Sequence, residues 1–117
     1  MFNFEKLEVW KKSIVLAGTI YTLTKTFPDS ERFGLTSQMR RAAVSISSNI
    51  AEGCSRSSKI DFRRFVEIAT GSVFELISQA NIARNQGLIA PKDYDQLYES
   101  SLEIVRMFSG LRDSLRE

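Results

Sequence analysis

Histidine is absent from this 117-residue sequence, and cysteine occurs once, at Cys54. Without imidazole there is no Ser-His or Cys-His nucleophile pair and no imidazole metal ligand. The Glu-x-x-His pairs by which helical bundles hold two irons are excluded with them. A single thiol rules out an intrachain disulfide and a thiolate cluster. No apolar run approaches the ~20 residues that cross a bilayer. The start, MFNFEKLEVWKK, lacks the basic-then-apolar order of a signal peptide. Strand-like alternation is also missing, and proline is confined to Pro28 and Pro91. The expectation from these absences is a cytoplasmic, all-α protein without membrane contact, metal or cofactor. Nothing assembles a nucleophile, a base and an orienting group, so an enzyme is not expected.

What is present is ordinary for a folded chain: 43% hydrophobic and 26% charged residues, in a length that suits one domain over residues 1–117. Four stretches repeat apolar residues at steps of three and four, the spacing of one helix face. The first, about 5–26, places Leu7, Trp10, Ile14, Ala17 and Tyr21 on a seam suited to a bundle. A second stripe, Val9, Leu16, Ile20, Leu23 and Phe27, projects on the opposite side. A helix apolar on two sides needs cover on both, so this second stripe is expected to meet another subunit. Pro28 ends the helix by disfavouring helical geometry at Phe27.

The second helix spans about 35–54, with Leu35, Met39, Ala42 or Ala43, Ile46 and Ile50 inward and Gly53 as its stop. Ser58-x-x-Asp61 resembles a capping box opening the third. That helix runs to about Gln86, with Phe62, Phe65, Ala69, Val73, Leu76, Ala80 and Ala83 inward. Its reverse side carries Gly71, Phe74, Ser78 and Ile82, and Gly71, Phe74 and Ile82 join the expected subunit interface. Pro91 suits the first turn of the fourth helix, where Tyr94, Leu97, Ser101, Ile104, Phe108, Leu111 and Leu115 follow the same spacing. Short connections make neighbouring helices antiparallel, an up-down-up-down four-helix bundle.

The formal charge is only +2, but it is uneven. Residues 32–64 carry seven basic side chains against Glu52 and Asp61, a net of +5, and residues 65–117 carry a net of −3. Such asymmetry points to an anionic partner for the middle of the chain. Arg40 and Arg41 flank an outer surface of the second helix with Val44, Ser47 and Ser48, and guanidinium forks suit phosphate. Pairing of one arginine with Glu52, Glu75 or a second subunit is the structural alternative. Arg56, Lys59, Arg63 and Arg64 cluster at the corner and the start of the third helix, against the helix dipole. They are the best candidates for phosphate contact, in RNA or DNA. A basic corner that meets an acidic protein instead is the rival reading.

Other candidates are weaker. Gln38, Ser45, Asn49 and Glu52 share one flank of the second helix and read as a polar seam that must satisfy itself if buried. Glu52 and Glu75 form a conceivable carboxylate pair. Cys54 reads as a packed small residue, and Trp10 as core.

The wording of several stretches is also specific. Phe4-x-x-Leu7-x-Val9-Trp10, Phe27-Pro28 and Phe33-Gly34-Leu35-x-x-Gln38-x-Arg40-Arg41-Ala42-Ala43 occur together. They are followed by Ser45-Ile46-x-Ser48-Asn49-Ile50-Ala51-Glu52-Gly53 and Asp61-Phe62-x-Arg64-Phe65-x-x-Ile68-Ala69-x-Gly71-Ser72-x-x-Glu75-Leu76. Together these resemble the bacterial four-helix bundle proteins described as 23S rRNA intervening-sequence proteins. After Gly87 only the apolar spacing agrees. The resemblance implies an up-down-up-down bundle assembling as a homopentamer. The family is similar to the accessory protein of diversity-generating retroelements, whose pentameric barrel binds nucleic acid and a reverse transcriptase.

Overall fold

The computed structural model describes residues 1–116 and places among them four α-helices and no strand. They are α1 (Glu8–Thr24), α2 (Leu35–Gly53), α3 (Lys59–Asn85) and α4 (Pro91–Ser114). Single turns of 3-10 helix at Asn3–Lys6 and Asp29–Glu31 precede α1 and α2. Contacts follow chain order around the bundle, α1 to α2 to α3 to α4 and back to α1, and the diagonal pairs barely touch. This is the contact pattern of an up-down-up-down bundle. The molecule measures 46 × 22 × 22 Å.

Local chemistry sets the helix ends. The Ser58 hydroxyl accepts from the Asp61 amide at 3.1 Å and so caps α3, half of the expected box. Gly87 takes φ +77° just beyond α3. There the Leu88 amide donates to the Ala83 carbonyl and the Gly87 amide to the Arg84 carbonyl, the paired bonds of a Schellman stop. Pro91 occupies the first turn of α4, where its missing N–H costs nothing. The inward faces of α2 and α4 are those that the spacing implied, with Met39, Ile46, Ile50, Ile104 and Phe108 buried. In α3 the buried row starts at Val66, while Phe62 and Phe65 are half-buried beside Gly53.

Helix α1 corrects the sequence reading. Val9, Leu16, Ile20 and Phe27, expected to meet another subunit, are buried in the core of the single chain. Leu23 is half-buried against that core. On the seam expected to face inward, Ile14 and Tyr21 are exposed, and Leu7, Trp10 and Ala17 are only half-buried. The physical reason is two hydroxyls. The true inward row is Val9, Ser13, Leu16, Ile20, Thr24 and Phe27, and its Ser13 and Thr24 look polar in sequence. Each hydroxyl donates to a carbonyl of its own helix, Ser13 to Val9 and Thr24 to Ile20, both at 2.7 Å. Once satisfied in this way, a small hydroxyl residue packs into a core without an orphaned donor. On α3 the expected outer surface is exposed: Gly71, Phe74 and Ile82 all face solvent.

Candidate nucleic-acid interface

Six cations were expected to form the interface, and the fold divides them into two groups. Arg40 is half-buried and committed. Its Nε donates to the Thr24 hydroxyl at 2.9 Å, and its guanidinium lies 4.7 Å from the centre of the Tyr21 ring. Arg56 is paired with Glu52 at 3.1 Å and stacked 4.7 Å over Phe65. Arg64 approaches Asp61 at 3.7 Å. Arg41, Lys59 and Arg63 make no ion pair among the described residues, and Arg41 and Lys59 are exposed. Exposed ion pairs contribute only about 0–1 kcal/mol. A phosphate therefore competes readily for Arg64, whereas Arg40 and Arg56 are each held against an aromatic ring as well.

Two places along α2 and α3 hold these groups. Lys59, Arg63 and Arg64 occupy the first turns of α3 next to the Cys54–Ser58 corner, with Arg56 inside it. Arg41 stands apart, further along α2. It lines a polar slot of about 310 Å³ with Gln38, Ser45, Glu75 and Gln79 between α2 and α3. Gln79 is buried there, and its Oε1 has no hydrogen-bond partner. The seam beneath is satisfied internally. Ser45 and Ser72 share a 2.9 Å hydroxyl contact across the helices, and Asn49 Nδ2 donates to the carbonyl and hydroxyl of Ser45.

Glu52 and Glu75 do not form the carboxylate pair considered from sequence. Ser45 lies against Ser72 while Gly53 lies against Phe62 and Phe65. In that antiparallel register Glu52 sits level with the start of α3, and Glu75 is displaced by about 15 Å along the axis. Cys54 is a free, half-buried thiol whose pKa is raised by burial, the direction of an unreactive group. Trp10 is half-buried, with Phe4 set edge-on to it at 5.0 Å.

Two exposed aromatic side chains escaped the sequence reading. Tyr21 was assigned to the core but lies under Arg40 on the outside. Phe2 precedes every apolar repeat, and that position outside any helical period was the one signal of its exposure. It is 71% exposed and stacked on Phe4 with ring centres 5.7 Å apart.

The profile of the 23S rRNA-intervening sequence proteins matches residues 5–110. A crystal structure from Bacteroides thetaiotaomicron, of a protein of unknown function from the S23 ribosomal protein family, superposes with a TM-score of 0.78. It is 24% identical, and the alignment covers 87% of this chain and 95% of that one. At that identity the likeness speaks for the fold. No curated protein matches the chain.

Proposed function

The chain belongs to the 23S rRNA-intervening sequence protein family, and from that premise we propose a homo-oligomeric, non-enzymatic bundle that binds RNA or DNA through its basic corner. What carries the reading is surface that the single chain leaves uncommitted. Arg41, Lys59 and Arg63 have no acidic partner among the described residues. Ile14, Val15 and Tyr21 on α1, and Ile68, Phe74 and Ile82 on α3, are apolar and exposed.

The two apolar faces belong to helices diagonal in the bundle, so they point away from each other. Joining one to the other between copies is a head-to-tail contact, and such contacts close into rings when the rotation permits. A ring of five is the form the resemblance implies. Repeating the basic corner around it multiplies the local positive field. Arg41 lies on α2 close to Tyr21 and Val44, where the outer face of α1 meets α2.

The test has two arms. Light scattering should give a multiple of the 13.3 kDa chain mass, and Phe74→Glu with Ile82→Glu should return it toward monomer. A monomeric wild type at micromolar concentration refutes the assembly. Fluorescence anisotropy with labelled RNA should show affinity that falls steeply with salt and is lost in the Lys59→Glu, Arg63→Glu, Arg64→Glu variant. Binding indifferent to salt or to these reversals refutes the basic corner as the interface.

One observation favours the rival, an adaptor that binds protein. Val73, Phe74 and Ile77 of α3 and Tyr98, Leu102 and Val105 of α4 line an apolar groove of about 220 Å³. Such a groove takes the apolar face of a helix. A partner protein that is retained after nuclease digestion and lost in Tyr98→Glu supports the adaptor.

A further inference from the structure

Resting on that reading, we propose that the basic end of the bundle selects unpaired nucleic acid, with the exposed face of Phe2 as a stacking platform for a base. The N-terminal turn is not loose at this point. Asn3 Nδ2 donates to the Cys54 carbonyl at 3.0 Å and ties residues 2–4 to the corner between α2 and α3. That bond brings an aromatic ring to the end of the molecule that holds Arg56, Lys59, Arg63 and Arg64. The ring is also held from behind. Phe2 lies nearly parallel to Phe4, at 20°, and Phe4 packs edge-on against Trp10, which is packed against the core. An aromatic ladder anchored in the core thus ends in a ring that is 71% exposed.

Exposing a phenylalanine costs hydrophobic free energy, and the ring is too isolated to form a broad apolar docking face. The combination of cations that track phosphates with a ring that accepts a base is the chemistry of sequence-tolerant single-strand binding. A duplex keeps its bases stacked on one another and offers Phe2 none except at its two ends, so along its length it engages the cations alone. The end of the bundle is 22 Å across, wide enough for a short run of nucleotides and too small to enclose a structured RNA.

The opposite end provides an internal control. Phe33, between α1 and α2, is even more exposed, at 88%, with Arg32 5.4 Å from its ring centre. Asp29 and Glu31 stand four and two residues before it in the chain, and their carboxylates repel phosphate. Exposure of an aromatic ring is therefore shared by both ends, but the Phe33 end sets Arg32 beside two carboxylates, whereas Phe2 shares its end with four cations, Arg56, Lys59, Arg63 and Arg64.

The experiment uses the full chain, fluorescein-labelled oligouridine, and a long RNA duplex, whose ends are a negligible share of its sites, at the same phosphate concentration. Wild type should prefer oligouridine. Phe2→Ala should weaken oligouridine binding about tenfold or more, the range for loss of one base–aromatic stack. It should leave the duplex affinity and the salt slope unchanged, and Phe2→Trp should restore binding. Phe33→Ala should have no effect, and thermal melts of all variants should superpose because both rings are exposed. If Phe2→Ala binds oligouridine as wild type does, or lowers duplex binding equally, the platform is refuted while the basic corner stands. If wild type binds neither probe, the nucleic-acid reading fails and the platform with it.

Discussion

The α2–α3 pair and the α1–α4 pair use the same kind of interface with opposite results. Between α2 and α3, small residues let the backbones approach: Ala42, Ala43, Ala69 and Ala80 are fully or almost fully buried, and Gly53 lies against Phe62 and Phe65. Among neighbouring helices, contacts are densest there and sparsest between α1 and α4. The α1–α4 seam bears a groove of about 300 Å³ that reaches the core side chains Leu16, Leu97 and Ile104, whereas the α2–α3 slot of similar volume is lined mainly by polar side chains. A 2.8 Å ion pair, Lys12 with Glu103, spans the α1–α4 groove. Helix separation follows the size and fit of the side chains at the contact. The tight pair also carries all six candidate cations in or beside it, so the charged surface is mounted on the most closely packed pair of helices. The loose pair has room to rearrange.

Core truncations should separate the pairs most strongly. Leu76→Ala, in the tight seam, is expected to cost about 2–5 kcal/mol in urea unfolding, toward the upper end because the surroundings cannot collapse. Leu16→Ala, on the wall of the groove, should fall toward the lower end. Equal losses would break the comparison.

Next come the glycines. A Cβ on Gly53 would stand 2.9 Å from Phe65 Cβ and 3.0 Å from the Phe62 ring. Gly53→Ala should therefore cost about 1–3 kcal/mol of overpacking, more than the helix propensity it gains. Gly110→Ala in α4 meets nothing within 4 Å and should stabilise by about 0.5–1 kcal/mol. A stabilising Gly53→Ala would show that the tight seam has slack.

The thiol at the end of the tight pair sharpens the contrast chemically. Burial raises the Cys54 pKa, which holds less of it as thiolate, so alkylation of the native protein at mildly alkaline pH should be clearly slower than in urea. Equal rates would mean that the corner opens freely.

The smallest effect belongs to the ion pair across the groove. The hydrogen bond and charge of Glu103 raise the Lys12 pKa. A raised pKa means that the folded state holds the proton more tightly, so this contribution is present at neutral pH and disappears as pH climbs through and beyond the ordinary lysine range. Glu103→Gln should lower Tm slightly, less so in high salt, and should flatten that alkaline decline. An unchanged alkaline melting profile would remove the pair from the account.

Much of this fold was legible in the residues, and α1 shows where legibility stops. Periodicity located all four helices, with Pro28, Ser58, Gly87 and Pro91 marking boundaries close to those observed. The inward faces of α2 and α4 followed because their apolar rows have no rival on the same helix. α1 has two rows, and the winning one contains Ser13 and Thr24, so counting apolar residues chose the other. The cations were legible as a group, but Arg40 became a packing element once Thr24 and Tyr21 came within reach. Phe2 acquired meaning only through the Asn3 bond to Cys54, across 51 positions of sequence.

The amino-acid order alone therefore determined the helix count, their limits, the antiparallel succession and the concentration of positive charge, because each is set by neighbours within a few turns. Tertiary structure decided which side of α1 is buried, which arginines are committed, and which exposed aromatic ring is tied to the basic end of the bundle. Those outcomes depend on partners brought together from distant parts of the chain, and a hydroxyl or guanidinium changes character with the group it meets.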